Sequence, residues 1–333
     1  MDKPLIKSAI VGSGSIAAVH APLIGATGQA TLVACADIIP ERAQHLANTH
    51  QARAYDSLDA MLDHEDIDVL HICTPHALHV PMAQQAHRKG IRVFMEKPPV
   101  TTRQQWQELT QLDATLGVCF QNRYNRNYRH LQQVVQSGVV GKVLGARAYV
   151  AWFRDEDYYS KSGWRGTWAL EGGGALINQS IHTLDLLVNL LGPHTSVDTW
   201  MGNRHLRGVI EVEDTVDARI AFGDAVVIFY ATNAAACGSP VQIYVDCEKA
   251  TFTLEDNRFR AAWRNGRTED ITFEQADALG KDYWGSGHAA CINDYYNAVK
   301  NNQPAPIGIE AVKNTVSLLL DMYDQGKRTL AQA

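Results

Sequence analysis

Short, nearly unbroken apolar runs open the chain and alternate with segments whose apolar residues recur every three to four positions. Residues 5–11, 32–36, 68–73, 91–95 and 118–121 read as strands. Between them, Pro40-Glu41-Arg42 starts a helix with proline in its first turn. A second helix over 77–89 meets Gly90, and a third over 102–116 meets Gly117, each glycine reading as a C-terminal cap. Strand and helix in alternation predict a parallel sheet covered on both faces.

After Asn122 the pattern changes. A helix over 126–136 ends at Gly138, a long strand covers 143–152, and a polar, aromatic loop leads to Gly172-Gly173-Gly174. A helix carrying Asn178, His182 and Asp185 follows and stops at Gly192-Pro193. Alternating runs at 217–222, 225–230, 241–247, 251–254 and 259–263, punctuated by Gly223-Asp224 and Asn265-Gly266, predict hairpins. Helices over 287–300 and 309–325 close the chain. The expected fold is α/β: an N-terminal Rossmann, doubly wound parallel sheet over 1–122, then a C-terminal α/β domain over 123–333 with a large, open, mostly antiparallel sheet.

Composition narrows the partners. A chain of 333 residues exceeds what one core usually serves, and 46% hydrophobic with 20% charged residues is ordinary for a globular protein. The formal charge of −6 disfavours nucleic acid, which needs a basic surface. No apolar run approaches membrane-spanning length, and Met1-Asp2-Lys3-Pro4 leads straight into a strand without the apolar stretch of a signal peptide. The six cysteines are dispersed, so a reduced, cytoplasmic protein without a disulfide framework is expected.

The chemistry begins at Gly12-Ser13-Gly14-Ser15-Ile16-Ala17, a G-x-G-x-x-A turn set between a strand and a helix. The first glycine permits the turn, the second lets backbone approach a pyrophosphate, and the small third residue lets the helix sit close to the strand. Asp37 stands 20 residues after Ala17 at the end of the next strand. A carboxylate there binds both ribose hydroxyls and repels a 2′-phosphate; with Ile38 beside it and Arg42 the nearest cation, NAD is favoured over NADP. Asp37 read alone also fits a strand-end or helix-capping acid. Thr74, Pro75, His76 and His79 leave one strand at its C-terminal end, and Glu96-Lys97-Pro98 leaves the next, where ligands of such sheets collect. The histidine pair lacks a carboxylate or thiolate to complete a ligand set, so no metal is expected.

Asn178, His182 and Asp185 fall at i, i+4 and i+7, one face of a helix that starts at a loop stripped of side chains. Such a histidine suits proton transfer to a polar ligand. The same run also fits an amphipathic helix with satisfied polar residues. Arg154, Tyr158, Tyr159, Trp164 and Arg165 combine rings and cationic forks, which suits a sugar as well as it suits a packed loop or a subunit contact. Asn122, Arg123 and Tyr124 leave the last Rossmann strand, and Tyr283, Trp284 and His288 are candidates for a far wall.

With G-S-G-S-I-A, Glu96-Lys97-Pro98 and G-G-G-x-x-x-N-x-x-x-H-x-x-D in this order, the chain resembles the glucose–fructose oxidoreductase/inositol dehydrogenase (Gfo/Idh/MocA) family over essentially its whole length. The resemblance implies oxidation of a secondary alcohol on a sugar, sugar derivative or cyclitol. His182 then takes the hydroxyl proton while Lys97 hydrogen-bonds the same oxygen and supports the developing carbonyl, or relays the proton, with Asn178 orienting the substrate. It implies Trp164-Arg165 against the nicotinamide end of the cofactor, and homodimers or homotetramers formed through the C-terminal sheet. Many polyol dehydrogenases of the family carry Asp where this chain has Asn178. The Asn-Gln-x-x-His form looks like that of members acting on nucleotide-linked or modified sugars at C3. Asp185 is a candidate partner for Lys97 or His182, or a helix-capping or interface residue. Two other activities fit the same scaffold: glycoside cleavage through transient C3 oxidation, and non-catalytic NAD sensing.

Overall fold

Six parallel strands carry the first part of the chain: β1 (Ile6–Val11), β2 (Ala30–Ala36), β3 (Arg53–Tyr55), β4 (Val69–Ile72), β5 (Arg92–Glu96) and β6 (Gly117–Cys119). They lie in the order β3-β2-β1-β4-β5-β6. The computed structural model describes residues 4–112, 115–274 and 287–330. Helices α1 (Ala17–Ala26), α2 (Pro40–His50), α3 (Leu58–His64), α4 (His79–Arg88) and α5 (Arg103–Leu109) connect the strands. All four residues of β4 are buried, as strands covered on both faces must be. The order reverses at β1, so the turns after β1 and β4 open on the same edge of the sheet.

Two expectations change here. β3 is three partly exposed residues long, too short and too polar to show as an apolar run. The helix read over 102–116 ends at Leu109, and Gly117 is the first residue of β6 rather than a cap. A Cβ on Gly117 would stand 2.6 Å from the Tyr295 ring, so glycine is there to admit that ring.

Tyr295 belongs to the helix Gly287–Lys300, which sequence reading assigns to the C-terminal domain. It groups instead with the first compact unit, which runs to Gln121 and resumes up to Val312. Adjacent tyrosines explain this. Tyr295 donates to the carbonyls of Val93 (3.0 Å) and Thr115 (3.2 Å), while the Tyr296 hydroxyl lies 2.8 Å from His71 Nε2 and 2.6 Å from Ser8 Oγ. Buried phenols need such partners, and the sheet's core supplies them.

The second unit starts at Asn122. Helix α6 (Arg126–Gln136) precedes β7 (Val143–Ala151), and α7 (Glu156–Ser160) and α8 (Ile181–Leu191) precede the rest of the sheet. Its strands are β8 (Ser196–Gly202), β9 (Thr215–Phe222), β10 (Ala225–Thr232), β11 (Gln242–Cys247), β12 (Ala250–Glu255), β13 (Arg258–Trp263) and β14 (Thr268–Thr272). The order is β14-β13-β12-β11-β7-β10-β9-β8, antiparallel except where β10 runs parallel to β7. Buried and open positions alternate along β9 to β12, the pattern of a sheet with one covered face. Strands β8 and β14 are edge strands that the apolar pattern does not reveal. Among the described residues no helix is long and apolar enough to cross a membrane.

Candidate active site

In the first unit the glycine turn has the features a dinucleotide requires. Gly12 adopts φ +86°, and a Cβ there would lie 2.6 Å from the Cys73 carbonyl oxygen, so only glycine fits. Nothing lies within 4 Å of a Cβ built on Gly14, which leaves that backbone open to approach. Ser15 is exposed and Ile16 is the N-cap residue of α1, whose dipole favours an anion at that end. Asp37 is tied in place: Oδ2 accepts from Ser13 N–H (2.7 Å) and Oδ1 from Ile39 N–H (2.9 Å). A carboxylate has about four acceptor sites, so both oxygens retain capacity for ribose hydroxyls. Ile38 and Arg42 are exposed beside it. This open turn and anchored acid fit NAD; when bound it supplies the hydride acceptor.

Thr74 and Pro75 are half-buried, while His76 and His79 are buried. The ring nitrogens of His79 contact the carbonyls of Pro98 (2.8 Å) and Thr74 (3.0 Å), which ties the two ligand-side loops together. Glu96 is buried and meets His20 Nε2 at 3.0 Å; His20 Nδ1 in turn meets His71 Nδ1 at 2.9 Å. Burial opposes charge on Glu96, yet the bond and charge of His20, with His288 and Lys97, hold its carboxyl well below the usual range. Among the described residues one trio, His20, Glu96 and Cys119, brings metal-ligating atoms within 4.8 Å of one another. Lys97 follows Glu96 and is half-buried.

His288 also sits in this unit. It is buried, its ring centroid 6.3 Å from that of His20, and burial lowers its imidazole to about 4. It therefore joins the buried cluster behind Glu96 instead of standing as an exposed wall. Tyr283 and Trp284 lie outside the described residues.

The second unit organises the histidine. The segment is not one continuous α-helix: Ala175–Gln179 form a π turn, with Ser180 N–H bonded to the Ala175 carbonyl (3.0 Å), and α8 starts at Ile181. From Glu171 to Val188 every residue is buried except Asn178 and His182. Asn178 thus lies in the π turn and His182 in the first turn of α8. Asp185 is buried. Its carboxylate takes both Arg123 Nε (2.7 Å) and Nη2 (2.6 Å), and Thr315 Oγ1 donates to it (2.8 Å). Arg123, expected at the substrate, has its fork engaged in this ion pair. Asn122 and Tyr124 flank it half-buried, with Arg129 over the Tyr124 ring at 4.3 Å.

The aromatic loop divides in two. Tyr158 is half-buried, and two guanidinium groups stand over its ring, Arg154 at 4.9 Å and Arg165 at 4.8 Å; Arg165 also covers Trp164 at 4.6 Å. Stacked, weakly hydrated cations of this kind present a planar surface. Tyr159, by contrast, is core: it packs with Ile210 and Val212, and its hydroxyl accepts from Asn233 Nδ2 at 2.9 Å.

Two carboxylates here escaped sequence reading. Glu213 is fully buried, and its Oε1 accepts from Gly174 N–H (2.9 Å), Leu176 N–H (3.0 Å) and Tyr323 (2.8 Å). Glu171 is equally buried; Oε2 accepts from Gly166 N–H (2.5 Å) and Oε1 from Asn178 Nδ2 (2.6 Å). Burial pushes the Glu171 carboxyl up to about 7, against those bonds and the charge of Arg165. Its position directly before the glycine triplet was the available signal.

Residues 6–124 match the profile described as "Oxidoreductase family, NAD-binding Rossmann fold", and residues 128–253 match the GFO/IDH/MocA C-terminal domain. The chain is 32% identical over 196 residues to D-glucoside 3-dehydrogenase of Escherichia coli (strain K12), covering 56% of this chain and 54% of that protein. It is 27% identical over 198 residues to inositol 2-dehydrogenase of Rhizobium meliloti (strain 1021), covering 56% and 55%. The chain thus spans about half the length of the curated relatives it matches. The WlbA dehydrogenase from Bordetella pertussis, solved with NADH and UDP-GlcNAcA, superposes with a TM-score of 0.84 at 26% identity over 97% of each chain. Levoglucosan dehydrogenase with NADH and levoglucosan shares the fold, with a TM-score of 0.86 at 19% identity over 99% of this chain and 98% of that one. On these matches and this architecture, the chain belongs to the Gfo/Idh/MocA oxidoreductase family, an NAD-binding Rossmann domain joined to the family's C-terminal domain.

Proposed function

We propose that the chain is an NAD-dependent dehydrogenase that oxidises a ring secondary alcohol of a sugar, sugar derivative or cyclitol. One observation carries the reading: in the buried run from Glu171 to Val188, only Asn178 and His182 are accessible, an amide and an imidazole four residues apart. In this reading His182 accepts the hydroxyl proton, Asn178 orients the sugar, and Lys97 supports charge on the alcohol oxygen. Tyr158, with Arg154 and Trp164, would stack the ring. Relatives named for glucoside and inositol oxidation, and one solved with a nucleotide-linked sugar acid, support this substrate class. The Asn178 amide favours a modified sugar over inositol, because an amide cannot lend charge to a neighbouring imidazole.

Transient oxidation with glycoside cleavage needs an additional acid or base. Its tyrosine candidates are hydrogen-bonded, Tyr159 accepting from Asn233 and the Tyr158 hydroxyl from Gln179 Nε2 at 3.1 Å, and each keeps its own proton to donate. A panel of glycosides, nucleotide-linked sugars and polyols with NAD, followed by NADH absorbance, tests the proposal. Net NADH with one class is expected; aglycone release without NADH, or no turnover at all, overturns it.

Asp37 leads to a cofactor prediction. Asp37→Ala is expected to lower the NAD/NADP ratio of kcat/KM by about tenfold or more, since it removes the ribose acceptor and the repulsion of a 2′-phosphate. An unchanged ratio would remove Asp37 from that role.

The open face of the second sheet carries exposed Tyr149 and Ile228, with Tyr149 stacked on Tyr230 at 5.1 Å. We propose it as the homo-oligomer contact, checked by sedimentation of Ile228→Glu, which is expected to shift the chain toward monomer.

A further inference from the structure

Asn178 can meet a ligand with either end of its amide, because the NH2 group donates and the carbonyl accepts. Which end it presents decides what it recognises, and the amide by itself has no preference. Its neighbour does. Glu171 accepts from Asn178 Nδ2 at 2.6 Å and from Gly166 N–H at 2.5 Å, one N–H to each oxygen. A carboxylate offers acceptors only, so the NH2 end is committed to Glu171 and Oδ1 points the other way.

We propose that Glu171 is a positioning residue that locks the Asn178 amide with its carbonyl outward, so that Asn178 recognises a sugar group that donates a hydrogen bond. This rests on the reading of Asn178 as a substrate contact. The lock gives the amide the hydrogen-bonding polarity of the aspartate found in polyol-oxidising relatives without placing a second negative charge there. Glu171 itself never touches the substrate.

The lock holds only while Glu171 is ionised. The charged and titratable groups around it include Arg165, which favours the carboxylate, Glu213, which opposes it, and the phenols of Tyr159 and Tyr323. With burial the largest influence, the carboxyl titrates at about 7. Below that it carries a proton and can donate, which permits the amide to turn over. Productive sugar binding is therefore expected to rise with pH through about 7 and level off above it.

Three measurements test this. In the 15N-labelled wild type, the Asn178 side-chain amide signal, assigned by its loss in Asn178→Ala, is expected to shift with a midpoint near pH 7 and not to shift in Glu171→Gln. A signal that does not titrate overturns the proposal whether or not any sugar is turned over. With an active substrate, Glu171→Gln is expected to raise KM for the sugar about tenfold or more, leave NAD affinity unchanged, and remove the limb near pH 7. A retained limb overturns the lock while leaving the dehydrogenase reading intact. The double variant Glu171→Gln/Asn178→Asp restores every bond with donor and acceptor exchanged, since the introduced amide then donates to the introduced carboxylate and accepts from Gly166 N–H. It is expected to recover sugar KM without recovering the limb; a double variant no better than the single one overturns the polarity argument. Should Glu171→Gln not fold, Asn178→Asp alone sets two carboxylates together and is expected to move the limb up by at least one pH unit, an unmoved limb being fatal.

Discussion

His182→Ala is expected to lower kcat about a thousandfold or more while the Kd for NAD stays within about twofold. A positioned general base contributes about 10²–10⁴ in rate, and alanine leaves nothing to take the hydroxyl proton. His182 lies in the first turn of α8. Lys97→Ala is expected to lower kcat about 10²–10³-fold, the range for loss of one group that stabilises a developing charge. The turn at Gly12 and the acid at Asp37 are untouched in both variants, so cofactor binding should persist. NADH formation in single turnovers, with NAD binding followed by protein fluorescence, separates the two effects. Turnover within tenfold of wild type in either variant would strip that residue of its role.

The second large effect concerns stability. Gly174→Ala is expected to destabilise the chain by about 3–5 kcal/mol, because the new Cβ would stand 2.0 Å from the Glu213 carbonyl oxygen. Neither side can yield cheaply. That carbonyl accepts from Ala175 N–H at 3.1 Å, and the Glu213 side chain holds Gly174 and Leu176 from the same position. Separation would expose a buried carboxylate to the loss of its donors. Gly14→Ala supplies the contrast: nothing lies within 4 Å of its Cβ, so the expected cost to stability is below about 1 kcal/mol while dinucleotide affinity falls. Urea unfolding of both variants with NAD titration distinguishes them. A Gly174→Ala chain as stable as wild type would mean that the glycine triplet is not clamped by Glu213.

Where the sequence was legible, a local rule sufficed. The all-buried β4 and the alternating β9 to β12 have opposite hydrophobic signatures, and these separate the parallel sheet from the antiparallel one. The G-x-G-x-x-A turn and Asp37 are legible because their spacing follows from the geometry of one strand-turn-helix unit. The elements that sequence reading missed lack such signals. β3, β8 and β14 sit at sheet edges, where half-exposed residues suffice and the strand exists because a neighbour offers a ladder.

The sequence by itself determined which residues are the candidates for chemistry: the glycine turn, Asp37, Lys97, Asn178 and His182 can all be named from residue type and spacing. Tertiary structure decided which of the accompanying polar residues remain accessible. Asp185 and Arg123, 62 positions apart, neutralise each other. Tyr159 and His288 go into cores, and the helix bearing Tyr295 and Tyr296 returns to the first sheet. Glu171 and Glu213 acquire their roles from a π turn and a steric fit that no periodicity announces. The physical reason is that a buried polar group must find a partner, and that partner is chosen by distance in space, which periodicity along the chain does not encode.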